Sequence, residues 1–168
     1  MQLFDELVEA WRYARDGVIA EVENLPEDAL SKAPDGLPRT GFDLVNHIVE
    51  SGRLMAGELT RPDGDFQRKS YSELVDEYIR PGDVVASKKD AVELLKRSHA
   101  EDEAKFKAAG ADSLMEPIRQ FNGVPASRMS WFAGGISHEE YHRGQLAMYA
   151  RLCGETPALT KVIMGESA

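Results

Sequence analysis

The residues best placed to do chemistry are two histidines four positions apart, His138 and His142, in the stretch SHEEYHRGQL. Positions i and i+4 of a helix share one face, with Cβ atoms about 5–6 Å apart, so two imidazoles there can grip one metal ion. A third histidine, His47, lies far upstream in another segment with helical periodicity. If the three converge they form a metal site; if they do not, they are ordinary packed histidines.

A three-histidine set has a definite chemistry. Neutral imidazoles without a thiolate suit zinc, and also nickel, cobalt, iron(II) or copper. A structural zinc usually takes four protein ligands, whereas three leave a position for water or substrate. An ion with an open position can lower the pKa of bound water or activate a thiol as thiolate. The sequence therefore favours a divalent metal cofactor, zinc or nickel, that takes part in chemistry.

Two other residues, His99 and Cys153, are of types that can bind a metal ion. His99 lies on the apolar stripe of a separate helix, where it can be a fourth ligand, but a packed or half-exposed histidine is favoured because three acidic residues follow it closely. Cys153 lies eleven residues beyond His142, about 16 Å along a helix. It is too far away to bind the same ion, and we expect it to be a small core residue.

Composition excludes several classes of function. The 168 residues fit one domain, 1–168, and 20 basic against 29 acidic residues give a formal charge of -9. Neither a nucleic acid nor an anionic membrane surface is an expected partner of such a chain. One cysteine excludes an intramolecular disulfide and a Cys-rich zinc site. No signal peptide or membrane span is expected, so a cytoplasmic setting is predicted.

The elements that must position the histidines are helices. Apolar residues spaced by three and four predict four long amphipathic helices, at about 3–25, 40–59, 83–109 and 127–154. Thr40 and Asp43 predict a capping box at the start of the second of these helices. His47 follows within its core-facing stripe, roughly 60° from Leu44 around the helix axis. His138 and His142 lie near the middle of the last long helix.

The connections carry turn residues rather than long periodic patterns. One short helical turn is expected within 26–38, a short helix around 71–79, and a loop over 111–125. Pro157 prevents the last long helix from continuing, and apolar residues of the tail at 156–168 are expected to lie against the helices. No strand-like alternation is visible, so we predict an all-α four-helix bundle.

At this point the residues resemble a known family. The run His138-Glu-Glu-Tyr-His142-Arg-Gly-Gln-Leu146, with Tyr149, Leu152 and a Gly154-x-x-Pro157 ending, is similar to the last helix of the DinB/YfiT-like metalloenzymes. His47, in DLVNHIVES, occupies the place of that family's first histidine. The resemblance covers the whole chain in helix order and length. This damage-inducible family is unrelated to the DNA polymerase that shares its name.

The resemblance implies a fold and a cofactor. The fold is a four-helix bundle in up-down-down-up order with a long crossover between helices two and three, often as a homodimer. The cofactor is a divalent metal held by three histidines, here His47, His138 and His142. Relatives use low-molecular-weight thiols: some transfer a thiol such as bacillithiol to an electrophile, and one isomerises maleylpyruvate with mycothiol. A small-molecule substrate, with a thiol as partner, is therefore expected.

Three functions remain open. The leading one is a thiol-dependent S-transferase or isomerase with metal bound by the three histidines. A hydrolase that uses metal-bound hydroxide differs in needing no thiol, and a non-catalytic, stress-related binding module is the third. No catalytic acid or base beyond the metal ligands can be named from the sequence.

Three residues next to the histidines have candidate supporting roles. Arg143 can form a structural ion pair, Gly144 can allow a neighbouring helix to approach, and Gln145 can hydrogen-bond near the site, but helix packing is the favoured role of each. Partners for the second ring nitrogens of the histidines were sought among nearby carboxylates: Glu50, Glu139 and Glu140. Pocket lining or core packing was expected of four aromatic residues: Trp11, Trp131, Tyr141 and Tyr149.

Overall fold

The chain is mostly helical in the computed structural model, which describes residues 3–83 and 85–166. The helices are α1 (Leu3–Asn24), α2 (Glu27–Ser31), α3 (Gly41–Thr60), α4 (Tyr71–Tyr78), α5 (Lys88–Ala109), α6 (Arg128–Leu152) and α7 (Ala158–Ile163). A 3-10 helix, Ala111–Met115, and two short strands, β1 (Pro117–Arg119) and β2 (Pro125–Ser127), lie between α5 and α6. Four long helices were predicted, and α1, α3, α5 and α6 are those helices.

The four long helices surround a common core. Helix α1 packs against α5 and α6, and α3 packs against the same two helices. The side chains of Trp11, Val18 and Val22 on α1 are fully buried, as the apolar spacing predicted, whereas Leu3 at the helix start is exposed. The Trp11 ring meets Phe106 of α5 edge to face, with the ring centroids 5.6 Å apart. The up-down-down-up order of the helices stays a prediction.

Local capping sets where α3 begins, and α3 carries His47. The Thr40 hydroxyl accepts a hydrogen bond from the Asp43 backbone N–H at 3.0 Å, and the Asp43 carboxylate accepts one from the Thr40 N–H at 2.8 Å. This is the predicted capping box, and removing such a cap typically costs about 1 kcal/mol. Leu44 and Ile48, on either side of His47, are buried in the core.

Helix α5 begins later than predicted, at Lys88 rather than near residue 83. The Ser87 hydroxyl accepts a hydrogen bond from the Asp90 backbone N–H at 3.1 Å and so caps the helix there. Asp83 lies instead in the preceding turn, where its carboxylate accepts a hydrogen bond from Nε of the fully buried Arg53 at 2.9 Å. This ion pair therefore holds the end of the crossover against α3.

The crossover between α3 and α5 contains the short helix that was predicted, α4. It is fastened to α3 by the buried carboxylate of Glu58, which accepts hydrogen bonds from Arg68 Nε at 2.9 Å and from the Tyr78 hydroxyl at 2.6 Å. A buried carboxylate needs such partners to offset its lost hydration. The same connection carries Phe66 and Tyr71, whose position beside α3 is thereby set.

The segment 111–125 is not the plain loop that was expected. It forms the 3-10 helix and the antiparallel hairpin β1–β2, in which Ile118 pairs with Ala126. The strands have only three residues each, too few for alternation to show. The turn signal was present in Asn122-Gly123, since Gly123 has a φ of 84°, a left-handed conformation that glycine adopts readily.

The C-terminal segment also differs from expectation. Helix α6 stops at Leu152, before Pro157, as predicted, but Cys153 is exposed rather than part of the core. Helix α7 is held through its backbone, since the Ala158 N–H donates to the Glu21 carboxylate at 3.0 Å. Ala158 is buried, but the apolar side chains expected to lie against the helices, Leu159, Val162 and Ile163, are exposed, Ile163 by 76%. None of the described helices is long and apolar enough to cross a membrane.

Candidate metal centre

The structure brings the three candidate histidines together. His47 comes from α3, and His138 and His142 come from consecutive turns of α6. One ligand atom from each residue lies within 4.8 Å of the other two. The Nε2 atoms of His138 and His142 are 3.0 Å apart, and the His47 ring centroid is 4.7 Å from that of His142.

This donor set fits a divalent metal ion. Two nitrogens bound to one tetrahedral zinc at about 2.0–2.1 Å lie about 3.4 Å from each other. The ring nitrogens here are separated by 3.0 Å in one pair and by no more than 4.8 Å in any pair, so small ring rotations suffice. Imidazole nitrogen suits zinc and nickel alike, so the geometry does not select between them.

The electrostatics favour the form of histidine that binds metal. Burial lowers the pKa of His47 to about 4, and the nearby His142, Arg39 and His138 add to this effect. Burial also lowers the pKa of His138 and of His142, in the latter case against an opposing contribution from Gln145. These shifts favour the uncharged imidazole, which is the form that binds a metal ion.

Gln145 holds the ring of His142. Its side-chain oxygen lies 2.7 Å from His142 Nδ1, so the Nδ1–H donates to the amide and the Nε2 lone pair is left facing the other histidines. Packing was the favoured role for Gln145, and the hydrogen bond is the role observed. The spacing of three residues from His142 was the signal that could have revealed it.

The carboxylates considered for this role do not hold the histidine rings, and two of them, Glu139 and Glu140, pair with arginines instead. Among the described residues, none of Glu50, Glu139 and Glu140 hydrogen-bonds to a candidate ligand. The buried Glu139 accepts a hydrogen bond from Trp11 Nε1 at 2.9 Å and pairs with the buried guanidinium of Arg15. Glu139 therefore fastens α6 to α1 directly beside His138.

Arg143 and Glu140 form the ion pair that was a candidate role of Arg143, with Nη1 and Oε1 3.1 Å apart. Gly144 does not have its candidate role, because no described atom lies within 4 Å of a Cβ built there. Gly135 makes the close approach instead: a Cβ there would lie 1.9 Å from Met55 Sδ. A larger residue at position 135 would therefore have to displace the Met55 side chain of α3.

His99 lies outside the three-histidine group. Its ring is buried and meets Trp11 at a centroid distance of 4.4 Å, which agrees with the packed reading. The His99 Nε2 is 3.4 Å from a Glu103 carboxylate oxygen, without the geometry of a hydrogen bond. His99 thus belongs to the core between α1 and α5.

A cavity of about 300 Å³ opens beside His47 and His138. Trp131 lines it, whereas Trp11 and Tyr149 are buried in the core and Tyr141 is exposed. Sequence reasoning missed three further aromatic lining residues, because they lie in the connections between the long helices, whose packing against the bundle no local pattern gives. They are Phe66, Tyr71 and Phe121.

The chain is mostly helical, and three histidines from two of its long helices converge. These two features place it among helical proteins that can hold a divalent metal ion. The sequence model of the DinB superfamily matches residues 10–146, so the chain belongs to that superfamily. The matched range includes His47, His138 and His142.

Comparison with solved structures supports the same fold. The chain is similar to a DinB-like protein, YjoA, from Bacillus subtilis, with a TM-score of 0.67 and 21% sequence identity. The match covers 90% of this chain and 93% of that chain. A search of curated proteins finds no match.

Proposed function

We propose that His47, His138 and His142 hold one divalent metal ion, zinc or nickel, in an enzyme that acts on a small molecule. The observation that carries the proposal is the convergence of three ring nitrogens within 4.8 Å, with His47 and His138 lining a cavity of about 300 Å³. Three protein ligands leave a coordination position open. When bound, such an ion lowers the pKa of a thiol or of water.

The protein's own residues support this use of the site. Gln145 keeps the Nε2 atom of His142 turned toward the other two histidines. Glu139 is the one carboxylate among the described lining residues, and it is already held by Arg15 and Trp11. Because no other carboxylate occurs among the described lining residues, a bound ion would supply the activation of a nucleophile.

We favour thiol-dependent transfer or isomerisation over hydrolysis. A thiol, with an ordinary pKa of about 8.5, needs less activation than water and no separate base once it is bound as thiolate. Metal-dependent hydrolysis is the alternative, and it differs in requiring no thiol. A small-molecule screen with and without added low-molecular-weight thiols separates the two reactions.

The decisive first experiment is metal analysis of protein purified without a nickel column. We expect about one equivalent of divalent metal per chain, and less than a tenth of that in His142→Ala. Substitution of His99, which lies outside the group, is the matched control and should leave the metal content unchanged. Metal-free wild-type protein that takes up neither zinc nor nickel on addition would refute the proposal and favour a non-catalytic binding module.

Two broader expectations belong to the same proposal. We propose that the protein forms a homodimer, which light scattering on the purified protein would test. We also propose a cytoplasmic setting, supported by the single cysteine of the chain, since reducing conditions keep thiols available. Localisation of a tagged protein in its source cells would test the second expectation.

A further inference from the structure

The cavity beside the histidines has an aromatic wall, formed by Phe66, Tyr71, Phe121 and Trp131. Phe66 lies centrally, with its ring centroid 4.5 Å from that of Trp131 and 4.7 Å from that of Phe121. Tyr71 extends the row, with its centroid 5.9 Å from that of Phe121. The four rings come from the crossover between α3 and α5, the turn between β1 and β2, and helix α6, and together they form one aromatic surface in the cavity lining.

The rest of the lining is unsuited to a charged or highly hydroxylated ligand. No lysine or arginine occurs among the described lining residues, and the apolar side chains of Ile48, Leu54 and Met55 complete the walls. A phosphate or a sugar ring would lose its hydration there without gaining partners. Besides the imidazoles of His47 and His138, the lining offers the hydroxyls of Ser51 and Tyr71 as uncharged polar groups.

The size of the cavity limits the ligand. An apolar cavity of about 150 Å³ is enough to hold benzene. The 300 Å³ available here therefore accommodates one ring with a substituent, or two fused rings. Flat rings also match the wall, since aromatic pairs gain free energy beyond that of their buried area.

We propose that this cavity binds a flat, uncharged aromatic molecule that carries one metal-binding donor atom. Its ring packs against Phe66, Phe121 and Trp131, and its donor atom points toward His47 and His138. The placement of the donor atom rests on the proposed metal function, whereas the placement of the ring depends on the cavity alone. The aromatic wall, rather than the metal, then determines which molecule is selected.

Gly134 provides a direct test, because it lines the cavity one helical turn before His138. No described atom lies within 4 Å of a Cβ built at Gly134, and its φ is not positive. We expect a leucine there to take up space in the cavity, since its Cβ would meet no neighbour. Gly144 is the matched control: it lies on the same helix, has the same open surroundings and also lacks a positive φ, but it does not line the cavity.

The experiment compares benzyl mercaptan with cyclohexylmethanethiol, which share a thiol and a carbon count but differ in ring planarity. Binding to the zinc-loaded protein and to the chelator-treated protein is followed by tryptophan fluorescence, since Trp131 lines the cavity. We expect the aromatic thiol to bind zinc-loaded protein about tenfold more tightly than its saturated counterpart. Gly134→Leu should weaken binding of the aromatic thiol more than about tenfold, and Gly144→Leu should change it less than about twofold.

A second variant tests the wall itself. Phe121 is 40% exposed, so Phe121→Leu should leave the protein folded while reducing the preference for the aromatic thiol. Equal affinities for the two thiols, or unchanged binding in Gly134→Leu, would overturn the inference. If the protein binds no zinc, the metal proposal fails, but the chelator-treated protein should still prefer the flat ring. Failure of the metal site and failure of the aromatic pocket are therefore distinguishable.

Discussion

The hydrogen bond from His142 Nδ1–H to Gln145 Oε1, at 2.7 Å, leads to a quantitative prediction about metal affinity. This hydrogen bond fixes the tautomer in which Nε2 carries a lone pair rather than a proton. A bound metal ion strengthens the hydrogen bond by drawing electrons from the ring. Loss of such a partner typically lowers metal affinity 10- to 100-fold, or about 1.4–2.8 kcal/mol. We therefore expect Gln145→Leu to raise the zinc dissociation constant by that factor.

The assay is competition for zinc against a chromophoric chelator, with protein of verified fold. Gln145→Glu is the matched control, because its carboxylate keeps an oxygen acceptor for Nδ1–H and should preserve or strengthen zinc binding. The leucine variant should also lose about 1–3 kcal/mol of metal-free stability, since a buried Nδ1–H is left without a partner. If Gln145→Leu binds zinc within about twofold of wild type, the hydrogen bond does not orient His142 for metal.

Three further predictions follow from other contacts. His47→Ala should abolish stoichiometric zinc binding, measured by metal analysis, because the two remaining ligands come from one helix; retained zinc would show that His47 is not a ligand. Glu139→Ala should lower the free energy of unfolding by about 3–5 kcal/mol in urea, because it leaves the buried Arg15 charge unpaired; a loss below about 1 kcal/mol would contradict this. Burial alone would raise the pKa of Asp83, but Arg53 outweighs it and the pKa is lowered. The Asp83–Arg53 pair therefore stabilises the fold above the unfolded-state pKa of aspartate, about 3.9, and this stabilisation is lost as the pH falls below it. In urea unfolding, Asp83→Asn should lose less free energy of unfolding at low pH than wild type does.

The helices were predictable from the sequence because their determinants are local. The apolar spacing of α1 and the capping box at Thr40 depend on residues within a few turns of each other, and both are observed. The predicted start of α5 was wrong by several residues. The hydrogen bond that ends the crossover joins Asp83 to Arg53, which is distant in sequence. The β1–β2 hairpin was missed because its strands are too short to show a period.

The surroundings of the site could be predicted only in part. Gln145 lies one turn from His142, so their contact was within reach of helix geometry. The partners of Glu139 were not, because Trp11 and Arg15 lie more than a hundred residues away in sequence. The same is true of Phe66 and Phe121, whose segments carry no periodic pattern that would place them at the cavity.

By itself, the sequence determined that His138 and His142 share a helix face and that His47 lies on the core-facing stripe of another helix. Helix periodicity is a property of the local backbone and needs no knowledge of packing. Only the tertiary structure decided that these faces meet at the same depth, with ring nitrogens within 4.8 Å. That depth depends on how side chains such as Met55 pack against Gly135, where α3 and α6 approach each other closely. Packing between distant segments also created the cavity and its aromatic wall, which no local pattern encodes.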